Sequence, residues 1–518
     1  MGGKSQEEKG ARAMEKLRET VQRRELLIAA VLLALGALLR LLCLDRFPPG
    51  LNQDEASIGA DAWSLLNYGI DRNGAQWPVL LKSWGSGQNV LYAYLSFPFL
   101  YLLGRSVAAL RLCAAFWGSA SLLFFWRMAR KTLGPFFGLT ALALLALNPW
   151  HLLLSRWALE SDLLPAFLLL GTCLLCHVDR NPRLLCAAGA VFAVSLYAYG
   201  TAFLFLPLYL LGALVHLLRR KAVTPRLALI AFAVFTLIAF PLAYCQLRNA
   251  LGLPETRFLG LTLPALTSTR QAATVSLSLE HWKDLARLLW RQSDGLLWNY
   301  AGRFGLFYGL PGLFFVLLGL GVTLGRLIRG QARDREFYVL LALLSGAVAS
   351  LFIDVNINRV NFLFLPLVWC QAMGLRFLLR LLPALILPAL AALLAGAVML
   401  GAYYVTDYAD ALGHSFHRGL PEAIAFAESL EPETVWITGE VNMPYVYALF
   451  VTGTDPAEYG ATAEYRNPGA AFEQVRAFGH FRFYGEPPAG VCILPVEAAE
   501  GEVLAVFGGY AVVLRGEN

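Results

Sequence analysis

The sequence predicts a polytopic α-helical membrane protein that crosses the bilayer about eleven times and ends in a small α/β domain. Three observations predict it. Hydrophobic residues fill 58% of the 518 positions and charged residues only 15%, far from the mixture a water-soluble domain carries. Apolar runs recur along the chain, among them Leu26 to Leu44, Ala228 to Tyr244 and Leu306 to Leu324, each near the roughly 20 residues a helix needs to span a hydrocarbon core of about 30 Å. Between the runs lie short Arg and Lys clusters, which in a membrane protein report orientation.

The first run follows Lys4, Lys9, Arg12, Lys16, Arg18, Arg23 and Arg24. It is too long for a signal peptide and no small-residue cleavage site follows it, so it reads as a retained helix. Residues 1–24 are then cytoplasmic by the positive-inside rule, residues 25–404 form the membrane domain and residues 45–88 form an outer loop. That loop is acidic and aromatic, with Asp45, Asp54, Glu55, Asp61, Asp71, Trp63, Trp77 and Trp84.

Asn89 to Gly104 is apolar, but counting it as a crossing would put Arg127, Arg130 and Lys131 outside and invert every later loop. Read as a juxtamembrane or re-entrant helix, it leaves the clusters at 127–131, 180–183, 219–226, 326–335 and 376–380 all in the cytoplasm. The outer segments are then 45–88, 149–161, a long loop 246–304, residues 354–360 and the tail after Tyr404. Within the long loop, Leu279 to Trp290 places Trp282, Leu285 and Leu289 on one face, an interfacial helix pattern. The tail, 405–518, changes composition: Pro421 to Leu430 reads as an amphipathic helix, Thr434 to Ile437 and Glu502 to Val506 as strands.

The net charge of +6 sits in clusters between apolar runs, which excludes a nucleic-acid partner and leaves membrane lipids as the surroundings. Of the eight cysteines, only Cys492 lies in clearly polar sequence. There is neither a disulfide framework nor zinc-ligand spacing. No phosphate-cradling glycine loop or serine-hydrolase elbow stands in a strand-to-helix context.

Chemistry therefore falls to the outer loops. Asp54 and Glu55, in Gly-Leu-Asn-Gln-Asp-Glu-Ala, are either solvated loop acids or a general base with an orienting partner or metal ligand. In the second outer loop, Asn148-Pro-Trp-His-Leu-Leu-Leu-Ser-Arg-Trp-Ala-Leu-Glu-Ser-Asp carries Arg156, Glu160 and Asp162. At four-residue spacing Arg156 and Glu160 fit a helical ion pair as well as a site. Arg359 stands at the outer mouth of a membrane helix, where a guanidinium either holds a phosphate bidentately or anchors the interface. Lys82 and Arg111 are further phosphate candidates, each with a packing alternative.

The order of these features resembles the GT-C class of membrane glycosyltransferases, in particular the protein O-mannosyltransferases and the bacterial lipid A aminoarabinose transferases. The resemblance rests on a cytoplasmic first helix, the pair at Asp54 and Glu55, a juxtamembrane segment ending in Gly104 with Arg111 after it, the basic run Arg127 to Lys131, and then Asn148-Pro149, Ser155-Arg156 and Asp162. It implies a GT-C fold and inverting hexosyl or pentosyl transfer from a polyprenyl-phosphate sugar donor to a glycan, lipid or protein acceptor. It also implies that Asp54, with Glu55 as rival, is the base, and that Asp162, with Glu160 as rival, completes the site. A divalent metal (Mg or Mn), where one is used, would sit on Asp54 and Asp162. Arg359, Arg156, Lys82 and Arg111 would serve the donor phosphate. A transporter or flippase of lipid-linked glycans is the alternative. It would place ionisable sites near the midplane and show repeated halves, and the sequence does neither.

Overall fold

The computed structural model describes residues 20, 23–84, 87–267, 276–470 and 472–516. The basic residues from Lys4 to Arg18 lie outside them. The helices up to residue 200 are α1 (Glu25–Leu41), α2 (Gln53–Tyr68), α3 (Leu91–Leu103), α4 (Val107–Leu133), α5 (Pro135–Ala146), α6 (Pro149–Leu154), α7 (Leu163–Leu175) and α8 (Leu184–Ser195). They are followed by α9 (Ala202–Arg219), α10 (Pro225–Ala250), α11 (Glu280–Arg291), α12 (Gly309–Ile328), α13 (Asp334–Ala349), α14 (Phe364–Leu381) and α15 (Ile386–Val405).

Seven helical stretches among the described residues are long and apolar enough to cross a membrane: Val107–Leu133, Ala202–Arg219, Pro225–Ala250, Gly302–Ile328, Asp334–Phe352, Asn361–Leu381 and Pro383–Val405. The sequence count of about eleven is larger because it includes apolar runs that here form shorter helices, such as Pro135–Ala146 and Leu184–Ser195. The segment at 89–104 is a 13-residue helix, α3, about 20 Å long against a core of about 30 Å. Helices α12 and α14 cross with their backbones in contact. A Cβ on Gly319 would stand 1.7 Å from the Cys370 carbonyl oxygen, and one on Gly374 would stand 2.1 Å from that of Phe315, so only glycine lets the backbones meet.

Arg40, fully buried inside the first apolar run, is paired inward as a charge in such a run must be. Its guanidinium donates to the carbonyls of Gly36 (2.8 Å), Ala146 (3.1 Å) and Leu145 (3.2 Å) and meets His151 Nδ1 at 2.7 Å. This ties α1 to the end of α5 and to α6.

The first outer loop is not a loop throughout. Asn52 caps α2, and a hairpin pairs β1 (Leu80–Leu81) with β2 (Gln88–Asn89) just before α3. In the segment 246–304, β3 (Thr256–Phe258) pairs with β4 (Leu261–Leu263). Helix α11 buries His281, Leu285 and Leu288. The expected face of Trp282, Leu285 and Leu289 is therefore rotated: Trp282 is 45% exposed and uses its indole N–H on the Ala347 carbonyl at 2.7 Å.

After α16 (Asp407–Ser415), the tail has α17 (Leu420–Ser429), β5 (Val435–Ile437), α18 (Pro444–Thr452), α19 (Pro456–Thr462), β6 (Glu464–Tyr465), β7 (Val475–Phe478), β8 (Phe481–Phe483), β9 (Gly490–Pro495), β10 (Glu502–Phe507) and β11 (Tyr510–Arg515). The strands form one sheet in the order β10-β11-β9-β5-β8-β7-β6. β5 runs parallel to both neighbours and the other pairs are antiparallel. α17 packs on the sheet, while α18 packs on α2. The tail is thus docked on the helix that carries Asp54 and Glu55.

Candidate active site

The start of α2 is set by its own sequence. Asn52 accepts from Asp54 N at 2.9 Å, and Glu55 reaches back to Asn52 N at 3.0 Å, forming a capping box. Asp54 and Glu55 are therefore first-turn helix residues with different surroundings, not two loop acids. Asp54 is half-exposed and Glu55 is fully buried.

Glu55 is saturated. Its Oε1 accepts from Arg111 Nε at 2.8 Å and Ala158 N at 2.7 Å, and its Oε2 accepts from Arg111 Nη2 at 2.8 Å and from Asn52 N. Arg111 is equally committed: besides Glu55 it donates to the carbonyls of Leu44 (2.9 Å), Pro48 (2.6 Å) and Gly50 (2.8 Å), using all five N–H groups. A carboxylate with four donors and a guanidinium with no proton to spare make a pin between α2, α4 and the second outer loop. Every donor of Arg111 and both carboxylate oxygens of Glu55 are thus engaged within the chain.

Arg156 is engaged in a similar way. The chain around it is not helical, so the four-residue spacing to Glu160 makes no helical pair. Its guanidinium donates to the carbonyls of Leu39 (2.5 Å), Leu42 (2.8 Å) and Phe47 (2.9 Å) and to Tyr404 Oη (3.2 Å), clamping the end of α1 to the second loop.

The other candidates keep chemical capacity. Asp162 closes a short 3-10 turn (Glu160–Asp162) and is buried. Its Oδ1 receives a 3.4 Å contact from Ser161 Oγ, and its Oδ2 is buried without a hydrogen-bond partner. Burial, and then the charge of Glu55, hold its carboxyl well above the usual carboxylate range. Glu160 is half-exposed and accepts from Asn89 N, which ties the β1–β2 hairpin to the second loop. Lys82 follows β1 on that hairpin, is half-buried, and has no ion-pair partner among the described residues. Arg359 is half-buried and contacts Asp354 through one nitrogen, at 3.2 Å to the carbonyl and 3.3 Å to the carboxylate. Its loop reaches the site through Asn361, which donates to the Ser161 carbonyl at 2.8 Å.

Four further groups frame this site and were not singled out from the sequence. Tyr92 donates to the Leu110 carbonyl at 3.0 Å and lies in the field of Asp162 and Glu55. Tyr447, from α18 of the tail, is buried with an unpartnered hydroxyl. Burial, and then Tyr510, Asp54 and Glu55, raise its phenol well above the ordinary tyrosine value. Behind α2, Arg72 and Asp61 form a buried pair at 3.6 Å, and Arg72 donates to Ser57 Oγ at 2.8 Å. Of these, only Asp61, one of the acids of the segment 45–88, left a trace in the sequence.

Among the described residues no group of three or more His, Cys, Asp or Glu side chains is arranged to hold a metal ion. With Glu55 engaged by Arg111, Ala158 and Asn52, the carboxylates expected to hold a metal come down to Asp54 and Asp162.

The family model of dolichyl-phosphate-mannose-protein mannosyltransferases matches residues 72–244. ArnT from Cupriavidus metallidurans bound to undecaprenyl phosphate superposes with a TM-score of 0.55 at 14% identity, over 94% of this chain and 99% of that one. Its apo state gives 0.55 and 14% over 96% and 100%. The Archaeoglobus fulgidus oligosaccharyltransferase solved with Zn and sulfate gives 0.50 and 14% over 82% of this chain and 61% of that one. No curated protein matches. At such identities the likeness is one of fold: this is a multi-pass membrane protein with the fold of the GT-C glycosyltransferases, the class its sequence resembles.

Proposed function

We propose that the chain transfers a sugar from a polyprenyl-phosphate donor to an acceptor hydroxyl at the membrane face carrying the tail domain, with Asp54 as general base. One observation carries the assignment: of two adjacent acids in one helical turn, Glu55 is consumed as a pin, and Asp54 is the half-exposed one.

In this reading the acceptor O–H gives its proton to Asp54 as its oxygen bonds to the anomeric carbon. The bond from that carbon to the phosphate oxygen breaks, and polyprenyl phosphate leaves with the electron pair. Attack opposite the leaving group inverts the anomeric centre. Lys82, and Arg359 across the second loop, would meet the phosphate as its charge develops. Burial raises the carboxyl of Asp162 well above the usual carboxylate range, so in its protonated form it would donate a hydrogen bond to the acceptor or sugar. The fold resemblance and the family match over 72–244 support a phosphate-linked lipid donor. The positive-inside pattern supports a cytoplasmic N-terminus and an extracytoplasmic tail.

The test is Asp54→Asn in the purified full chain, assayed with a polyprenyl-phosphate sugar. Transfer should fall by roughly 10²–10⁴-fold, the usual contribution of a positioned base, with an unchanged melting temperature. A folded variant with normal transfer would sink the assignment.

A further inference from the structure

Lys82 follows β1 in a hairpin whose two strands are two residues each, so the ladder itself does little to fix it. A lysine ammonium rides on a flexible four-carbon stem and is placed reproducibly only when the backbone beneath it is held. Here that backbone is held from outside the hairpin, by the turn between Ile70 and Gln76 and by α2.

The turn is fixed by its own hydrogen bonds. Ile70 and Gln76 form a bridge, and the N–H groups of Asn73 and Ala75 both donate to Asp71 Oδ1 at 2.9 Å. From this turn Asn73 Nδ2 donates to the Lys82 carbonyl at 2.9 Å. Arg72, buried one residue earlier, works on the residues just after Lys82. Its N–H donates to Asp61 Oδ1 at 3.2 Å, and its Nη2 donates to Ser57 Oγ at 2.8 Å and to Ser83 Oγ at 3.3 Å. Ser57 Oγ lies 3.2 Å from Ser83 Oγ and donates to Gln88 Oε1 at 3.4 Å, so one hydroxyl of α2 meets both arms of the hairpin. The Arg72 guanidinium lies 5.9 Å from the ring centroid of Trp84 and 5.9 Å from that of Tyr445 on α18. The Trp84 carbonyl in turn accepts from Glu473 N of the tail at 3.4 Å.

Anchoring α2 would require Arg72 to reach Asp61 alone. It also reaches Ser83 and Trp84, and the adjacent Asn73 reaches Lys82 itself. We propose that Arg72 and Asn73 are positioning residues that hold the hairpin so that the Lys82 ammonium meets the donor phosphate, which rests on the reading above that assigns Lys82 to that phosphate. Neither residue touches the donor. Their effect passes through Lys82, and the tail shares in it through Tyr445 and Glu473.

The test is a double-mutant cycle in the purified full chain with a polyprenyl-phosphate sugar. Asn73→Ala, at an exposed position, should raise the donor KM by about fivefold, the worth of one neutral hydrogen bond, and leave the acceptor KM and melting temperature unchanged. Ser57→Ala, which removes the hydroxyl shared by Arg72, Ser83 and Gln88, should raise the donor KM in the same way. In the Lys82→Ala background, Asn73→Ala should add nothing, because no ammonium is left to place. Asn67→Ala, which loses a similar exposed bond to the Trp63 carbonyl on α2, should keep the wild-type donor KM. A raised donor KM in Lys82→Ala with a wild-type value in Asn73→Ala would overturn the proposal, and so would full additivity in the double variant or an equal effect in Asn67→Ala. A wild-type donor KM in Lys82→Ala itself would instead sink the phosphate assignment of Lys82, and the positioning role with it. Should Ser57→Ala fail to fold, the Asn73 cycle alone decides.

Discussion

Glu55 and Arg111 hold each other through two parallel hydrogen bonds of 2.8 Å, Nε to Oε1 and Nη2 to Oε2, with neither side chain exposed. Removing one partner leaves the other charge buried and unpaired, which costs about 3–5 kcal/mol. Glu55→Gln and Arg111→Leu should therefore each lower the melting temperature sharply, whereas Asp54→Asn should not. Thermal unfolding of the three variants in detergent checks this, and a wild-type melting temperature for Glu55→Gln would contradict the pin.

This asymmetry was partly legible in the sequence. Asn52-Gln-Asp-Glu55 has the spacing of a capping box, which places the acids in a first helical turn and singles out Glu55 as the one folded back on the chain. Read as a loop, the same residues are two equivalent acids. Arg156 was not legible in this way. Its partners are backbone carbonyls at Leu39, Leu42 and Phe47, and carbonyls carry no residue signature. The apolar runs and their basic punctuation were legible because the bilayer imposes one length and one charge rule on every crossing. The seven-stranded order of the tail sheet was not, because parallel neighbours of β5 come from strands far along the chain.

Lys82 and Arg156 make a discriminating pair. Lys82 has no ion-pair partner among the described residues, and Arg156 is spent on carbonyls. Lys82→Ala should keep the fold, raise KM for the lipid-linked donor and lower kcat/KM by about tenfold or more, as the loss of a charged contact to phosphate does. Arg156→Ala should show its effect first in stability. Steady-state kinetics beside melting curves separates the two, and a donor KM unchanged in Lys82→Ala would remove Lys82 from the phosphate site.

Asp71 supplies a pH signature. Burial, and then the charge of Asp61, push its carboxyl up to about 7 in the folded chain, against about 4 when unfolded. The folded state therefore keeps a proton that the unfolded state releases. Stability contributed by this group is present below about pH 4, is lost as pH rises to about 7 and is level above that. Relative to Asp71→Asn, which cannot titrate, the wild-type chain should lose melting temperature across that window. Parallel curves for the two proteins would show that Asp71 ionises normally.

The tail domain's part in the reaction turns on Gly59. It lies one turn beyond Glu55 on α2, and a Cβ there would stand 2.6 Å from the Phe450 ring of α18 and 3.0 Å from Leu110. Both neighbours are buried, so a side chain has to move α18, at a typical overpacking cost of about 1–3 kcal/mol. Gly59→Leu should loosen the tail without touching a polar group of the site. The tail should become cleavable by limited proteolysis, and transfer should fall with it, because Tyr447 on α18 lies within the electrostatic reach of Asp54 and Glu55. Faster cleavage with full transfer would make the tail a passenger. Loss of transfer in step with cleavage would make α18 one wall of the active site.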